Sequence, residues 1–286
     1  MLLREVEYAR PATVEEALAL LSEHDGARAL AGGQTLVNVM KARAASPDVL
    51  VDLADLDELR TISFSADQGA LELGAMVTNT QVIASSEVEV ARPILAEVAA
   101  TIADVQIRNR GTVGGNVCVN DPTNHYPPLL PALGATFTIR TTSGERIVSA
   151  DEFFVGVYVT AVDEGELLTR IAVPTRKPGT GDGMAGVTLG AHGTYLVSAA
   201  ATVGPDGVRI ALGCVSSVPV RATAMEEKLA GGDLSEEAVR AAAAGLGASL
   251  DPPSDVHASA DYRRHLAEVS AVRAVLQAAE RAKGQP

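Results

Sequence analysis

The chain has 286 residues, 47% apolar and 21% charged, an ordinary balance for a soluble globular protein with enough material for two domains. Its 36 acidic and 23 basic residues leave a formal net charge of -13. That balance argues against a nucleic-acid partner, because neutralising phosphates takes clustered Lys and Arg.

The opening residues MLLREVEYARP carry Arg4, Glu5 and Glu7, which leaves no apolar signal-peptide segment. No stretch approaches the roughly eighteen uncharged apolar residues that cross a bilayer, so no membrane insertion and a cytoplasmic location are expected. Thr13 and Glu16 form a capping box that predicts a helix with Ala17, Leu18 and Leu21 on its apolar side. ARALA (27–31) reads as a short buried strand, LVNVMKAR (36–43) as a helix carrying Leu36, Val39 and Met40, and DVLVDL (48–53) as the next strand.

A second unit begins near Leu71 with the strand LELGA. Thr78 and Gln81 predict another capped helix, and the spacing of Ile94, Val98 and Ile102 predicts one longer helix over 87–105. The density of Gly, Asn, Asp and Pro over 106–135 reads as irregular backbone. Residues 135–154 read as a hairpin turning at SG, and 166–174 as a strand ended by Pro174. The Gly- and Pro-rich stretch 175–186 marks a domain boundary. Beyond it, strands, two or three helices and a last helix with Tyr262, Leu266, Val269, Val272 and Leu276 on one face complete an α+β chain.

Two loops carry the chemistry. AGGQTL (31–36) follows a strand and opens a helix, and GTVGGN (111–116) repeats the arrangement with Thr112, Gly114, Gly115 and Asn116. Successive amides in such turns make a concavity for anions, and two of them on separate subdomains suit a diphosphate held between them. A glycine pair on its own more often marks a turn that needs positive φ. Neither loop is a G-x-G-x-x-G dinucleotide fingerprint or a P-loop. Cys118 and Cys214 match no metal or redox spacing and read as buried small apolar residues.

AGGQTLVNVMKAR together with IRNRGTVGGNVCVNDPTNHYPPLL resembles the flavin-binding medium subunits of the molybdenum hydroxylases, the family of the carbon monoxide dehydrogenase medium subunit and the xanthine dehydrogenase flavin domain. GCVSSVPVRATAMEEKL (213–229) and ADYRRHLAEVSAVRAVLQAA extend the resemblance over almost the whole chain. It implies a two-subdomain FAD-binding domain of the PCMH/VAO-like kind over 1–176, divided near residue 58, followed by a smaller α+β domain over 177–286 that covers the flavin. It implies FAD contacts from Ala31, Gly32, Gly33, Gln34, Thr35 and Leu36, and from Thr112, Gly114, Gly115 and Asn116. Leu168 is similar to a family position that touches the cofactor. Tyr195 stands where the family brings an aromatic residue near the isoalloxazine, or is a half-buried strand tyrosine.

Two departures stand out. The family usually reads DP-x-x-D-L-P where this chain has DPTNHYP, so His125 replaces a carboxylate near the flavin or its ribityl chain. It is either a partly exposed loop histidine or a group that protonates near neutrality and raises the flavin potential. Thr188 and Ala191 stand where relatives more often carry Lys and Arg, leaving only His192 as a basic side chain.

The resemblance implies one part of a relay. A large molybdopterin partner oxidises the substrate, a small partner with [2Fe–2S] clusters passes electrons here, and FAD delivers them to NAD, oxygen or a quinone. The chain itself offers no metal-ligand pattern and no convincing acid–base pair for hydroxylation. Its rivals are a free-standing flavoenzyme, with His125 or His192 as the base, and a flavin-less scaffold.

Overall fold

The structure, a computed structural model, describes residues 3–65, 67, 69–190 and 193–284, so Ala191 and His192 lie outside the described residues. It is α+β and organised around three sheets with a small separate hairpin. In the first unit β1 (Glu7–Ala9), α1 (Val14–Glu23), β2 (Ala27–Leu30), α2 (Leu36–Lys41) and β3 (Val49–Asp52) build a parallel sheet in the order β1-β3-β2. Thr13 caps α1 by accepting from the Glu16 amide, while the Glu16 carboxylate accepts from Ala12 rather than Thr13, so the capping box is half made. Val14, Leu18, Val51 and Leu56 fill the core beneath this sheet.

The second unit runs through β4 (Ile62–Ser65), β5 (Ala70–Gly74), α3 (Asn79–Ala84), α4 (Ser86–Ala91), α5 (Ile94–Thr101), α6 (Val105–Arg110), α7 (Val113–Val119) and α8 (Tyr126–Leu133). It closes with β6 (Thr136–Thr141), β7 (Gly144–Ser149), α9 (Ala150–Phe153), the hairpin β8 (Phe154–Gly156) and β9 (Val159–Thr160), and β10 (Leu167–Pro174). The sheet is antiparallel in the order β4-β5-β10-β6-β7. Thr78 and Gln81 complete their capping box.

Two sequence expectations fail here. The helix expected over 87–105 is three pieces, α4, α5 and the start of α6, because Pro93 opens α5 and cannot donate back into α4. The irregular backbone expected over 106–135 holds α6, α7 and α8. Asp104 and Thr112 cap the first two, and Pro127 and Pro128 sit where a first turn needs no N–H.

The third unit is β11 (Gly181–Thr188), β12 (Tyr195–Gly204), β13 (Gly207–Gly213), β14 (Val220–Arg221), α10 (Thr223–Leu229), α11 (Glu236–Ala243) and the long α12 (Ala260–Lys283). Its strands pair antiparallel in sequence order. The Gly- and Pro-rich stretch 175–186, read as a domain boundary, therefore ends in a strand. The buried face of α12 is also rotated from expectation. Tyr262 is 49% exposed, and Ala267, Ala271, Ala274 and Ala278 are fully buried with Leu266, Val272 and Val275. A Cβ on Gly181 or Gly183 would meet the carbonyl oxygens of Ala278 and Ala274 at 2.1 and 2.2 Å, so strand and helix touch backbone to backbone. Small residues form that face because larger ones would not fit. No helix among the described residues is long and apolar enough to cross a membrane.

Candidate functional site

The loop 31–35 leaves the carboxyl end of β2 and turns into α2. Its two glycines answer to different constraints. Gly33 has φ +72°, and Gly32 lies so close to the start of the second loop that a Cβ would fall 2.0 Å from Arg110 O and 3.0 Å from Gly111 Cα. Gln34 Nε2 donates to Gly32 O at 2.8 Å and Asn38 Nδ2 to Gln34 O at 2.7 Å, which occupies the loop carbonyls from within. The amide of Val37 is the first to return, to Gly33 O. Among the described residues, the amides of Gly32, Gly33, Gln34, Thr35 and Leu36 have no acceptor. Thr35, at the head of α2, is exposed and makes no capping bond. A run of free amides under an exposed hydroxyl is an anion cradle.

The second loop stands directly opposite. Besides the Gly32–Arg110 contact, a Cβ on Gly115 would lie 3.5 Å from Ala31 Cβ. The two turns are therefore in contact, but their polar groups are used differently from expectation. The amides of Val113, Gly114, Gly115 and Asn116 are already spent on Val77 O, Ala75 O, Thr112 Oγ1 and Thr112 O. Thr112 (3% exposed) caps α7, and Gly114 is buried where a Cβ would strike Ala75 O at 2.5 Å. Asn116 is the exception: its Oδ1 is buried without a partner, an acceptor that only a ligand donor or water can satisfy. So one wall supplies donors and the other an acceptor.

From Asn116 the wall continues through Asn124, whose Nδ2 donates to Asn116 O at 3.1 Å, to His125. His125 is 6% exposed rather than a partly exposed loop residue, and its ring packs on Tyr195 with centroids 4.5 Å apart. Burial pushes its pKa down from 6.5 to about 4, so at neutral pH it carries no charge and raises no potential by protonation. Tyr195 lies half-buried at the start of β12 and brings the third sheet onto this wall. Leu168, 3% exposed, gives its side chain to the core of the five-stranded sheet. Residue patterns missed Asn124, because an amide that ties one loop to another has no local signature. They also undervalued Cys214. This buried thiol, pushed up to about 12 by burial, donates to Pro122 O at 3.0 Å and Tyr195 O at 3.3 Å, whereas Cys118 is only half-buried.

The His125 shift has a measurable consequence. The unfolded chain protonates this ring below about pH 6.5 and the folded chain only below about 4, so between those values the unfolded state binds more protons. Stability is therefore lost as pH falls through that window, by about 3 kcal/mol at one unit per 1.36 kcal/mol. Denaturant titrations at pH 7 and pH 4 should show His125→Asn losing less stability than the wild type by most of that amount. Equal losses would mean the ring is accessible to protons in the native state.

The sequence and the architecture both have known counterparts. Residues 4–176 match the family described as the FAD binding domain in molybdopterin dehydrogenase, and residues 191–278 the CO dehydrogenase flavoprotein C-terminal domain. The chain is 38% identical over 285 residues to the carbon monoxide dehydrogenase medium chain of Afipia carboxidovorans, covering 97% of this chain and 98% of that one. It is 34% identical to the nicotine 6-hydroxylase medium subunit of Paenarthrobacter nicotinovorans, covering 98% and 100%. The solved carbon monoxide dehydrogenase from Hydrogenophaga pseudoflava, in a form lacking the Mo-pyranopterin moiety, superposes with a TM-score of 0.94 at 36% identity, covering 98% of this chain and 99% of that one.

Proposed function

Since the chain belongs to the family of FAD-binding medium subunits of molybdenum hydroxylases, we propose that it takes electrons from a small iron–sulfur partner and passes them to an external acceptor. Its class is that of an oxidoreductase subunit carrying FAD, in a complex with a large molybdopterin subunit and a small iron–sulfur subunit. The acceptor is NAD, oxygen or a quinone. On this reading, residues 1–176 form the FAD-binding domain in two subdomains divided near residue 58, and residues 177–286 the domain that covers the flavin.

The observation that carries the proposal is the contact between the two turns and the polar groups they leave unpaired. One turn offers the free amides from Gly32 to Leu36 and the turn packed against it the unpartnered Asn116 Oδ1, a donor-and-acceptor set that fits the diphosphate and hydroxyls of a dinucleotide. The 31–36 loop would take the phosphates, with Thr35 adding a hydroxyl and Ala31 shaping the floor against Gly115. Asn116 would accept from a cofactor hydroxyl. Thr112 and Gly114 would hold α7 close enough for this. His125 and Tyr195 would close the far side with uncharged rings. Bound FAD supplies the exchange between two-electron and one-electron partners. On this reading substrate is oxidised in the large molybdopterin subunit rather than in this chain.

The test uses the purified FAD-loaded chain. Mixed with the reduced iron–sulfur partner, its flavin absorbance should bleach; mixed with the hydroxylase substrate alone, it should not. Substrate hydroxylation by the isolated chain would overturn the assignment.

A further inference from the structure

The strand that carries Tyr195 is pinned from a distant part of the chain. Arg263, in the first turns of α12, is 5% exposed, and its Nη1 donates to Leu196 O at 2.5 Å. Its Nη2 donates to Asp255 Oδ2 at 2.7 Å. Asp255 is itself fixed by the amides of His257 and Ala258, which with Arg263 hold its carboxyl down at about 2. A buried guanidinium whose partner is held this firmly has little freedom to rotate.

Each neighbour of Leu196 inherits that constraint. Tyr195 O accepts from Cys214 Sγ, and the Tyr195 ring covers Gly186, where a Cβ would come within 2.7 Å of it. The ring also meets His125, which is buried, with centroids 4.5 Å apart. Through Asn124 and Asn116 this ring pair is continuous with the second turn. Leu196 O is therefore the point at which α12 sets the angle of the wall.

We propose that Arg263, held by Asp255, is the positioning residue that presents the Tyr195–His125 ring pair to bound FAD as the uncharged wall of its site. The proposal rests on the FAD-carrying function above. Arg263 touches neither cofactor nor reacting atoms; it acts through Leu196 O, so its loss changes how FAD is held before it changes the fold.

The test uses the full-length chain, with FAD affinity and the visible circular dichroism of the bound flavin as readouts. Arg263→Met should weaken FAD binding about tenfold, the worth of one well-placed hydrogen bond, and alter the flavin dichroism. Arg263→Lys keeps a donor for Leu196 O and should recover most of both. Asp255→Asn keeps an isosteric side chain and should give a smaller change in the same direction, and it decides the matter if Arg263→Met does not fold. Ala274→Gly, which weakens α12 away from Leu196, should leave both readouts at wild-type values. The proposal is overturned if Arg263→Met, or Asp255→Asn where that variant decides, binds FAD with wild-type affinity and spectrum, or if Ala274→Gly shifts them equally. A wild-type chain that binds no FAD would instead sink the function on which it rests.

Discussion

Gly32→Ala is expected to raise the FAD dissociation constant by about a hundredfold or more while leaving the chain folded. The added Cβ would lie 2.0 Å from Arg110 O, 2.7 Å from Arg110 C and 3.0 Å from Gly111 Cα, all main-chain atoms that no rotamer change can move aside. Relief requires the two turns to separate by roughly 1.5 Å, since unstrained heavy-atom contacts fall near 3.5 Å. At that separation the free amides at 32–36 and the Asn116 acceptor no longer converge on one ligand. Losing two charge-assisted hydrogen bonds at about 1.5–3 kcal/mol each gives the predicted factor. Gly33→Ala is the internal comparison. Its φ of +72° costs an alanine about 1–2 kcal/mol, but its Cβ meets only the Val37 and Leu30 side chains at 3.2 and 3.3 Å, which can shift. It should weaken binding by about tenfold at most. Titrating apoprotein with FAD, with far-ultraviolet circular dichroism to confirm folding, measures both. Wild-type affinity in Gly32→Ala would show that the turns need not touch to hold the cofactor.

That contact also shows where sequence reading succeeds and stops. The spacing of Thr78 and Gln81 is local, so their capping box could be read directly, and apolar runs located β2, β3, β5 and β10. Motif order over the whole chain pointed to FAD when either glycine pair alone did not. What stayed hidden depends on partners far along the chain. The amides at 113–116 look as free as those at 32–36 until Ala75, Val77 and Thr112 are seen to accept from them. His125 looks like a loop residue until Tyr195 covers it. The apolar face of α12 follows its alanines rather than its larger side chains, because Gly181 and Gly183 bring β11 against the helix backbone. Hydropathy weights side-chain size, whereas close approach selects against it. Pro93 broke a helix whose apolar spacing runs on undisturbed through Ile94 and Val98, since periodicity does not register a missing N–H.

Removing one member of the Arg92–Asp182 pair should cost about 3–5 kcal/mol, a large share of the 5–15 kcal/mol that holds a typical domain. Their side chains are 4% and 3% exposed, with Arg92 Nη1 2.8 and 2.9 Å from the two Asp182 carboxylate oxygens. Burial lowers the pKa of Arg92 and Asp182 opposes it, so each charge is tolerable only beside the other. The remaining hydrogen bonds join three parts of the chain. Arg92 Nε donates to Pro174 O at the end of β10, Thr202 Oγ1 on β12 donates to Asp182, and Arg281 of α12 reaches Asp182 O and Glu97. Asp182→Ala strands a buried guanidinium, and Arg92→Met a buried carboxylate. Replacing both, as Arg92→Met with Asp182→Leu, removes two desolvated charges together and should be much milder than either single change. Because the network ties α4 and α5 to β11 and α12, the single variants should loosen the third sheet first. Urea unfolding should then resolve into two transitions where the wild type shows one, with protease cleavage appearing in the 175–180 connection. A single unshifted transition for Asp182→Ala would mean that water reaches this pair and that the two parts are joined by apolar packing alone.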